Sequence, residues 1–150
     1  MTSTSIAELP WWDLAEVADH DAAIFGPTAW TLGYYWSVKA QNGTVMLAAR
    51  TASAGELAGW IVMSGAGAEA DVMTIATTEA ARSKGIGRAL LQAGIDWAQD
   101  RGSEVIHLEV DERNVAALAM YASFGFEEWG RRPDYYPGAA GILMRLRIGD

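Results

Sequence analysis

The sequence predicts an α/β fold of the α+β type, with six recognisable strands and four helices. Short apolar segments with strand character recur along the chain, and segments with helical spacing separate them. The connections are short, and many contain glycine. A chain of 150 residues, 51% of them hydrophobic, suits one domain with a substantial core. We therefore expect residues 1–150 to form a single domain.

The first quarter of the chain is predicted to be helical. Asp13 precedes a helix in which Leu14, Val17 and Asp21 share one face. A second short helix is predicted after Pro27, in a segment with many aromatic side chains. Its aromatic residues are Trp30, Tyr34, Tyr35 and Trp36.

Three strands are predicted next. The segments TVMLAART and ELAGWIVMS, separated by a turn at residues 52–55, indicate an antiparallel hairpin, and DVMTIATT forms the third strand after the loop GAGAEA. A helix follows Gly87 and ends near Gly102.

The last third of the chain alternates strand, helix and hairpin. In SEVIHLEV, the residues Ile106, Leu108 and Val110 lie on one face, so Glu109 is displayed on the other. Asn114 is expected to cap a helix over 115–124. FEEWGRR and ILMRLRI then form the closing hairpin, with a turn at residues 137–138.

The stretch RSKGIGRALL, residues 82–91, places two glycines between a strand and a helix. The first N–H groups of a helix have no partner within it and the helix dipole is positive there, so a glycine turn lets an anion approach the backbone. Lys84 and Arg88 add positive charge. The letters fit neither a Walker A loop nor a dinucleotide fingerprint, which would need glycine in place of Leu90. The turn could also serve only to join strand and helix.

Charge and composition limit the function classes. The net charge of −8, from 19 acidic and 11 basic residues, disfavours direct binding of nucleic acid and favours a cationic partner. The absence of cysteine excludes disulfides, thiolate zinc sites and a zinc deaminase, although His107 and Glu109 have the spacing of one. The start of the chain lacks the features of a signal peptide or membrane span, so we expect a cytoplasmic protein without membrane contact.

Arg82-x-x-Gly85-x-Gly87 is similar to the Q/R-x-x-G-x-G/A signature of the GNAT superfamily of N-acetyltransferases. Downstream, LEVDERN, ALAMYASFGFEEWG and YYP resemble its bacterial ribosomal-protein alanine N-acetyltransferase (RimI-like) branch. The resemblance is strong over residues 71–148 and weaker before them, where IFGPTAW carries it. It implies a single GNAT domain, with a mixed, mostly antiparallel sheet of six to seven strands and about four helices.

The resemblance implies acetyl-CoA as cosubstrate and no metal. The pyrophosphate would lie on backbone amides of the glycine turn, and the pantetheine arm would pair with the end of the third strand like an added strand. The residues implied for the cofactor are Ile75, Ala76, Thr77, Arg82, Ser83, Lys84, Gly85, Ile86, Gly87, Arg88 and Asn114. The segment TIATTEAA departs from the Val-x-Pro exit that is common after this strand.

Acetyl transfer requires a neutral amine, and because an α-amino group has a pKa near ~8, a modest base suffices. Glu109 is the candidate base, directly or through water, and Tyr121 the candidate acid for the departing thiolate. As in the branch, Glu109 lies five residues before Asn114, and Asn114 seven before Tyr121. Without the resemblance, Glu109 could be a solvated strand residue and Tyr121 a helix tyrosine packed on the core.

The resemblance implies a basic protein N-terminus as acceptor, namely the N-terminal alanine of a small-subunit ribosomal protein. Tyr135 and Tyr136 would lie at the peptide entrance, or they could simply pack on Pro137. The segment 111–113, Asp-Glu-Arg, departs from the branch. Two alternatives remain open: acetylation of a small-molecule amine, and a noncatalytic acyl-CoA-binding regulatory module.

Overall fold

The computed structural model describes residues 4–149, and in this range it contains seven strands and four α-helices. The strands are β1 Thr4–Glu8, β2 Thr44–Thr51, β3 Leu57–Ala66, β4 Glu69–Thr77, β5 Val105–Asp111, β6 Glu127–Tyr136 and β7 Ala139–Arg147. The helices are α1 Leu14–Phe25, α2 Leu32–Lys39, α3 Ile86–Asp100 and α4 Val115–Ser123.

The strands form one mixed sheet in the order β1-β2-β3-β4-β5-β7-β6. Strand β4 runs parallel to β5, pairing Glu69–Asp71 with 105–107. The β1–β2, β2–β3, β5–β7 and β6–β7 pairs are antiparallel. The predicted α/β class, with a mostly antiparallel sheet, is therefore confirmed.

One strand was missed by the sequence analysis. β1, Thr4–Glu8, pairs antiparallel with β2, so four strands and not three precede the glycine turn. The segment TSIAE has only two apolar residues among five, and most of its side chains remain solvent-exposed at the sheet edge. Such an edge strand lacks the apolar pattern by which a buried strand is recognised.

The chain packs as two compact units. The first comprises the residues up to Ser64 together with Met73–Gly94. Its core is formed by α1, α2 and the strands β2 and β3, and contains the fully buried Trp60. As predicted, Leu14, Val17 and Asp21 form the buried face of α1. The second helix begins after its cap, Thr31, so Trp30 precedes it.

The second unit comprises Gly65–Val72 and the residues from Ile95 onward. In β5 the predicted apolar row of Ile106, Leu108 and Val110 is buried. The helix α4 and the β6–β7 hairpin occur where the sequence places them. No helix among residues 4–149 combines the length and apolar content that a membrane span requires.

Candidate active site

The predicted diphosphate turn lies in the first unit and has the backbone of an anion-binding loop. Ser83 and Gly85 both have positive φ, 64° and 78°, and the carbonyl of Gly85 accepts the N–H of Ala89 at 3.1 Å. Gly85 thus immediately precedes α3, and the N–H groups of Ile86 and Gly87 are at its first turn, where a helix offers no internal acceptor. The residues from Arg82 to Gly85 are solvent-exposed. This part of the chain fits a bound diphosphate.

The segment between β4 and this turn has no Val-x-Pro exit. Thr78 donates its N–H to the carbonyl of Ala58 at 2.9 Å, and Glu79–Ala81 form a single 3-10 turn. The chain therefore reaches Arg82 without a proline. Thr78 and Ala81 are both buried, so the segment is fixed against the unit's core.

The predicted pantetheine strand, Ile75 to Thr77, is the end of β4 in the same unit. A Cβ placed on Gly59 of β3 would lie 2.6 Å from the carbonyl oxygen of Ala76 and 3.3 Å from Cα of Thr77. Only glycine tolerates this approach of the two backbones. Gly59 is a supporting residue that the sequence analysis did not single out, although an isolated glycine in a strand is the usual signal for such packing.

A cavity of about 640 Å³ also borders the exit segment in the first unit. It is lined by Glu16, Glu56 and Glu79, together with His20 and Arg82. Three carboxylates disfavour a phosphate group, so this cavity does not fit the diphosphate.

The candidate base, Glu109, lies on β5 in the second unit and is largely shielded, with 19% of its side chain exposed. Its Oε2 atom is buried and has no hydrogen-bond partner among the described residues. Nε of Arg132 lies 3.4 Å from Oε2, and a Cβ placed on Gly141 would lie 2.6 Å from it. A carboxylate in such a setting can accept a proton from a donor that a ligand brings.

The candidate acid, Tyr121, lies on α4 and is only 5% exposed. Burial, with a smaller contribution from Tyr136, raises its pKa to about 12. Burial also raises the pKa of Tyr136 to about 12, helped by the negative charges of Glu109 and Asp111 and by Tyr135. Tyr136 therefore lies within electrostatic range of both candidate catalytic residues, and both phenols remain protonated at neutral pH.

Asn114 caps α4 as predicted. Its side-chain carbonyl accepts the N–H of Ala117 at 3.1 Å. The cap uses Oδ1 as an acceptor, and the side-chain NH₂ can donate to a ligand.

The unusual segment Asp111-Glu112-Arg113 links the end of β5 to the β6–β7 turn. The Arg113 guanidinium donates to Asp111 Oδ2 at 2.6 Å and to the carbonyl of Pro137 at 3.2 Å. The carboxylate of Glu112 accepts the N–H of Ala140, and the backbone N–H of Glu112 donates to the Ala140 carbonyl at 3.0 Å. These contacts hold the hairpin that carries the two tyrosines.

Tyr135 and Tyr136 lie at the end of β6, with ring centroids 5.0 Å apart in an edge-to-face arrangement. Tyr135 is exposed and Tyr136 half-buried. His107, two residues before Glu109, lies 3.1 Å from the Glu69 carboxylate. Its ring thus contacts β4, and no group of three or more side chains placed to hold a metal ion occurs in residues 4–149.

The structure thus groups the predicted residues by unit. Residues 75–77 and 82–88 belong to the first unit, and Glu109, Asn114, Tyr121, Tyr135 and Tyr136 belong to the second. Sequence reasoning missed Arg132 and Gly141, which contact Glu109 from β6 and β7. No local pattern could identify them, because they are distant from Glu109 in sequence and meet it only through strand pairing.

The known proteins that this chain resembles include several acetyltransferases. The model of the acetyltransferase (GNAT) family matches residues 6–126. The [Ribosomal protein bS18]-alanine N-acetyltransferase of Escherichia coli is 42% identical over 84 residues, 53% of this chain and 57% of that protein. A crystal structure of the ribosomal-protein-S18-alanine N-acetyltransferase from Escherichia coli has a TM-score of 0.89, 28% identity, and coverage of 99% of this chain and 96% of that one.

Two further relatives differ in what their names describe. N-alpha-acetyltransferase RimI of Mycobacterium tuberculosis is 42% identical over 104 residues, 65% of this chain and 64% of that protein. A mycothiol acetyltransferase of Renibacterium salmoninarum is 43% identical over 70 residues, 46% of this chain and 21% of that protein. The chain therefore spans between about a fifth and two thirds of the curated relatives it matches.

Proposed function

The chain belongs to the acetyltransferase (GNAT) family, and on this premise we propose that it transfers an acetyl group from acetyl-CoA to the N-terminal α-amine of a basic protein. The proposed acceptor is the N-terminal alanine of a small-subunit ribosomal protein. Support comes from the likeness to the Escherichia coli enzyme, which extends over 99% of this chain in structure. The net charge of −8 is compatible with a basic acceptor.

The observation that carries the proposal is the burial of the Glu109 carboxylate and its contacts. Its carboxylate is shielded, Oε2 packs against Gly141, and Oε1 is left to accept a proton, which suits a general base. As the amine nitrogen bonds to the acetyl carbon, Glu109 takes one amine proton. As the carbon–sulfur bond breaks, the Tyr121 hydroxyl donates a hydrogen bond to the developing thiolate, whose protonation is completed as the product leaves. Exchange with water then removes the proton from Glu109.

The glycine turn would hold the diphosphate of acetyl-CoA, and the end of β4 would pair with its pantetheine arm. When bound, this cosubstrate supplies the activated acetyl group. The chain contributes the backbone N–H groups of Ser83 to Arg88 and the cations Lys84 and Arg82. Asn114 would add its side-chain NH₂.

The test is intact-mass analysis of peptides incubated with the protein and acetyl-CoA. One basic peptide has a free N-terminal alanine, and its control is blocked at the N-terminus and carries an internal lysine. We expect a single added acetyl group on the first peptide alone. Glu109→Gln and Tyr121→Phe should each reduce turnover on the order of 100-fold or more, with acetyl-CoA affinity nearly unchanged. Wild-type turnover in either variant would remove that residue from the mechanism.

The likeness to a mycothiol acetyltransferase favours a second candidate, acetylation of a small-molecule amine. A free polyamine and an amino sugar should therefore be included in the same assay. Acetylation of either of these in preference to the alanine peptide would replace the first proposal. Binding of acetyl-CoA without transfer to any acceptor would support a noncatalytic acyl-CoA-binding module.

A further inference from the structure

Glu109 meets two residues of the closing hairpin that the proposed reaction does not yet use. In the β5–β7 register Glu109 lies opposite Leu143, and in the β6–β7 register Arg132 lies opposite Gly141. Gly141 and Arg132 therefore approach the same carboxylate from neighbouring strands.

Gly141 provides the space that Glu109 occupies. A Cβ at this position would lie 2.6 Å from Oε2, 3.2 Å from Cδ and 3.3 Å from Cγ of Glu109. Gly141 is itself buried. The carboxylate thus packs against a bare Cα, and Oε2 is the oxygen that faces the sheet.

Arg132 supplies a charge without a hydrogen bond. Its Nε lies 3.4 Å from Oε2, yet Oε2 has no hydrogen-bond partner, so the contact is an ion pair only. The guanidinium carbon lies 5.2 Å from the ring centroid of Tyr135, a cation–π distance. Since Oε2 is buried, the 19% exposure of the Glu109 side chain falls on its other atoms, and Oε1 is the oxygen left to meet an acceptor.

We propose that Arg132 is a positioning residue, which holds Glu109 through Oε2 so that Oε1 receives the proton, and whose charge disfavours the ammonium form of the acceptor. This inference rests on the proposed function. A lone carboxylate would bind an ammonium group tightly and keep it protonated, which makes the nitrogen unreactive. A guanidinium is always charged, and it offsets that attraction without acting as an acid or base itself.

The other charged or titratable groups around Glu109 do not supply such a cation. Tyr136 of β6 is a phenol, and Asp111 on β5 is engaged by Arg113. His107, two residues earlier on β5, faces Glu69 and Asp71 of β4. Strand β7 presents Gly141 and Leu143, and its Arg145 lies opposite His107 with its guanidinium over the Trp129 ring. Among these groups, Arg132 carries the positive charge that pairs with Glu109.

The test compares binding of a charged and a neutral acceptor. The probes are a basic peptide with N-terminal alanine and the same peptide with lactate in place of that alanine, which carries no ammonium group. Affinities are measured by calorimetry at pH 6.5, where the alanine peptide is protonated. In Arg132→Gln we expect the alanine peptide to bind about fivefold more tightly relative to the lactate peptide than in the wild type.

The same variant should shift the acid limb of the kcat profile to higher pH by about 0.7 unit, because a fivefold preference for the bound ammonium raises its pKa by that amount. Arg132→Lys should restore much of the wild-type behaviour. Arg131→Gln is the matched control: Arg131 is adjacent, 55% exposed against 57% for Arg132, and pairs with Glu128 and Glu112. It should change neither the affinity ratio nor the pH profile.

The outcomes separate this inference from the proposed function. An unchanged affinity ratio and pH profile in Arg132→Gln, with Glu109→Gln inactive, would overturn the role of Arg132 and leave the base in place. Full activity of Glu109→Gln would remove the base and this inference with it, while leaving acetyl transfer in place. No measurable binding of either peptide would reject the proposed function and this inference together. A uniform loss of stability without a change in the ratio would make Arg132 a purely structural residue.

Discussion

Replacement of Gly141 by alanine tests whether the position of the Glu109 carboxylate limits the reaction. The added Cβ would lie 2.6 Å from Oε2, about 0.8 Å inside the 3.4 Å at which ordinary contact begins. The methyl group is fixed to β7, whereas the carboxylate ends a flexible side chain, so Glu109 must move. A displacement near 1 Å can cost a catalytic group about 100-fold in rate, and we expect kcat to fall between about 10- and 100-fold.

Stability should change far less than rate. Forcing Glu109 away from its preferred rotamer costs about 1 kcal/mol, which for a chain of this size lowers Tm by roughly 2–4 °C. The assay is steady-state acetylation of the alanine peptide, with Tm measured on the same samples. Gly130→Ala is the control, since its Cβ would meet only Leu143, at 3.2 Å, and should leave kcat nearly unchanged.

A double-mutant cycle provides the decisive comparison. If Gly141→Ala acts by moving the carboxylate, it should have little further effect on kcat in Glu109→Gln, where the base is already lost. An equal loss in both backgrounds would show that Gly141 acts through something other than Glu109. An unchanged kcat in Gly141→Ala alone would refute the positional requirement.

Three further outcomes follow from other parts of the structure. Gly85→Asp should abolish measurable acetyl-CoA binding in calorimetry, while Gly55→Asp, which imposes a similar backbone strain at φ 66° in equally open space, should retain it. Burial raises the pKa of Asp21 despite its hydrogen bond from Tyr35, so its contribution to stability is fully present below the unfolded pKa and is lost as pH rises through the folded pKa. From pH 3.5 to pH 7 the Tm of the wild type should therefore decrease relative to that of Asp21→Asn, and a constant Tm difference would contradict this. The hydrogen bonds from Arg113 lower the pKa of Asp111, so Arg113→Gln should return that pKa toward its ordinary value in a carboxyl NMR titration.

The elements that sequence reasoning recovered are those determined by local pattern. The buried face of α1, the cap at Asn114 and the alternation in β5 each depend on residues within a few positions of one another. The edge strand β1 was missed because its residues carry little apolar pattern and its stability comes from pairing with β2. Family spacing, rather than periodicity, distinguished Glu109 from any other strand glutamate.

The surroundings of Glu109 could not be predicted in the same way. Gly141 and Arg132 act on it only because β7 inserts between β5 and β6, which brings together residues more than 20 positions apart. A register change of one residue would place Gly141 and the Arg132 side chain on the opposite face of the sheet from Glu109. The bulge between Arg132 and Tyr136 allows both residues to lie near Glu109, and no sequence pattern predicts this bulge.

The raised pKa of Tyr121 constrains how the proposed acid works. A phenol with a pKa of about 12 is protonated throughout the working range, so the proton is available at any pH at which the amine reacts. Complete transfer to a thiolate, with a pKa near ~8.5, would be unfavourable by roughly 5 kcal/mol if a buried phenolate remained. Tyr121 is therefore suited to stabilise the developing thiolate by hydrogen bonding, with net protonation completed as the product leaves. The charge of Glu109 raises the pKa of Tyr136, and Tyr136 in turn raises the pKa of Tyr121. Tyr136 therefore couples the proposed base and the proposed acid electrostatically. Loss of the negative charge in Glu109→Gln should accordingly lower the pKa of Tyr136, which a tyrosine titration monitored by absorbance would detect.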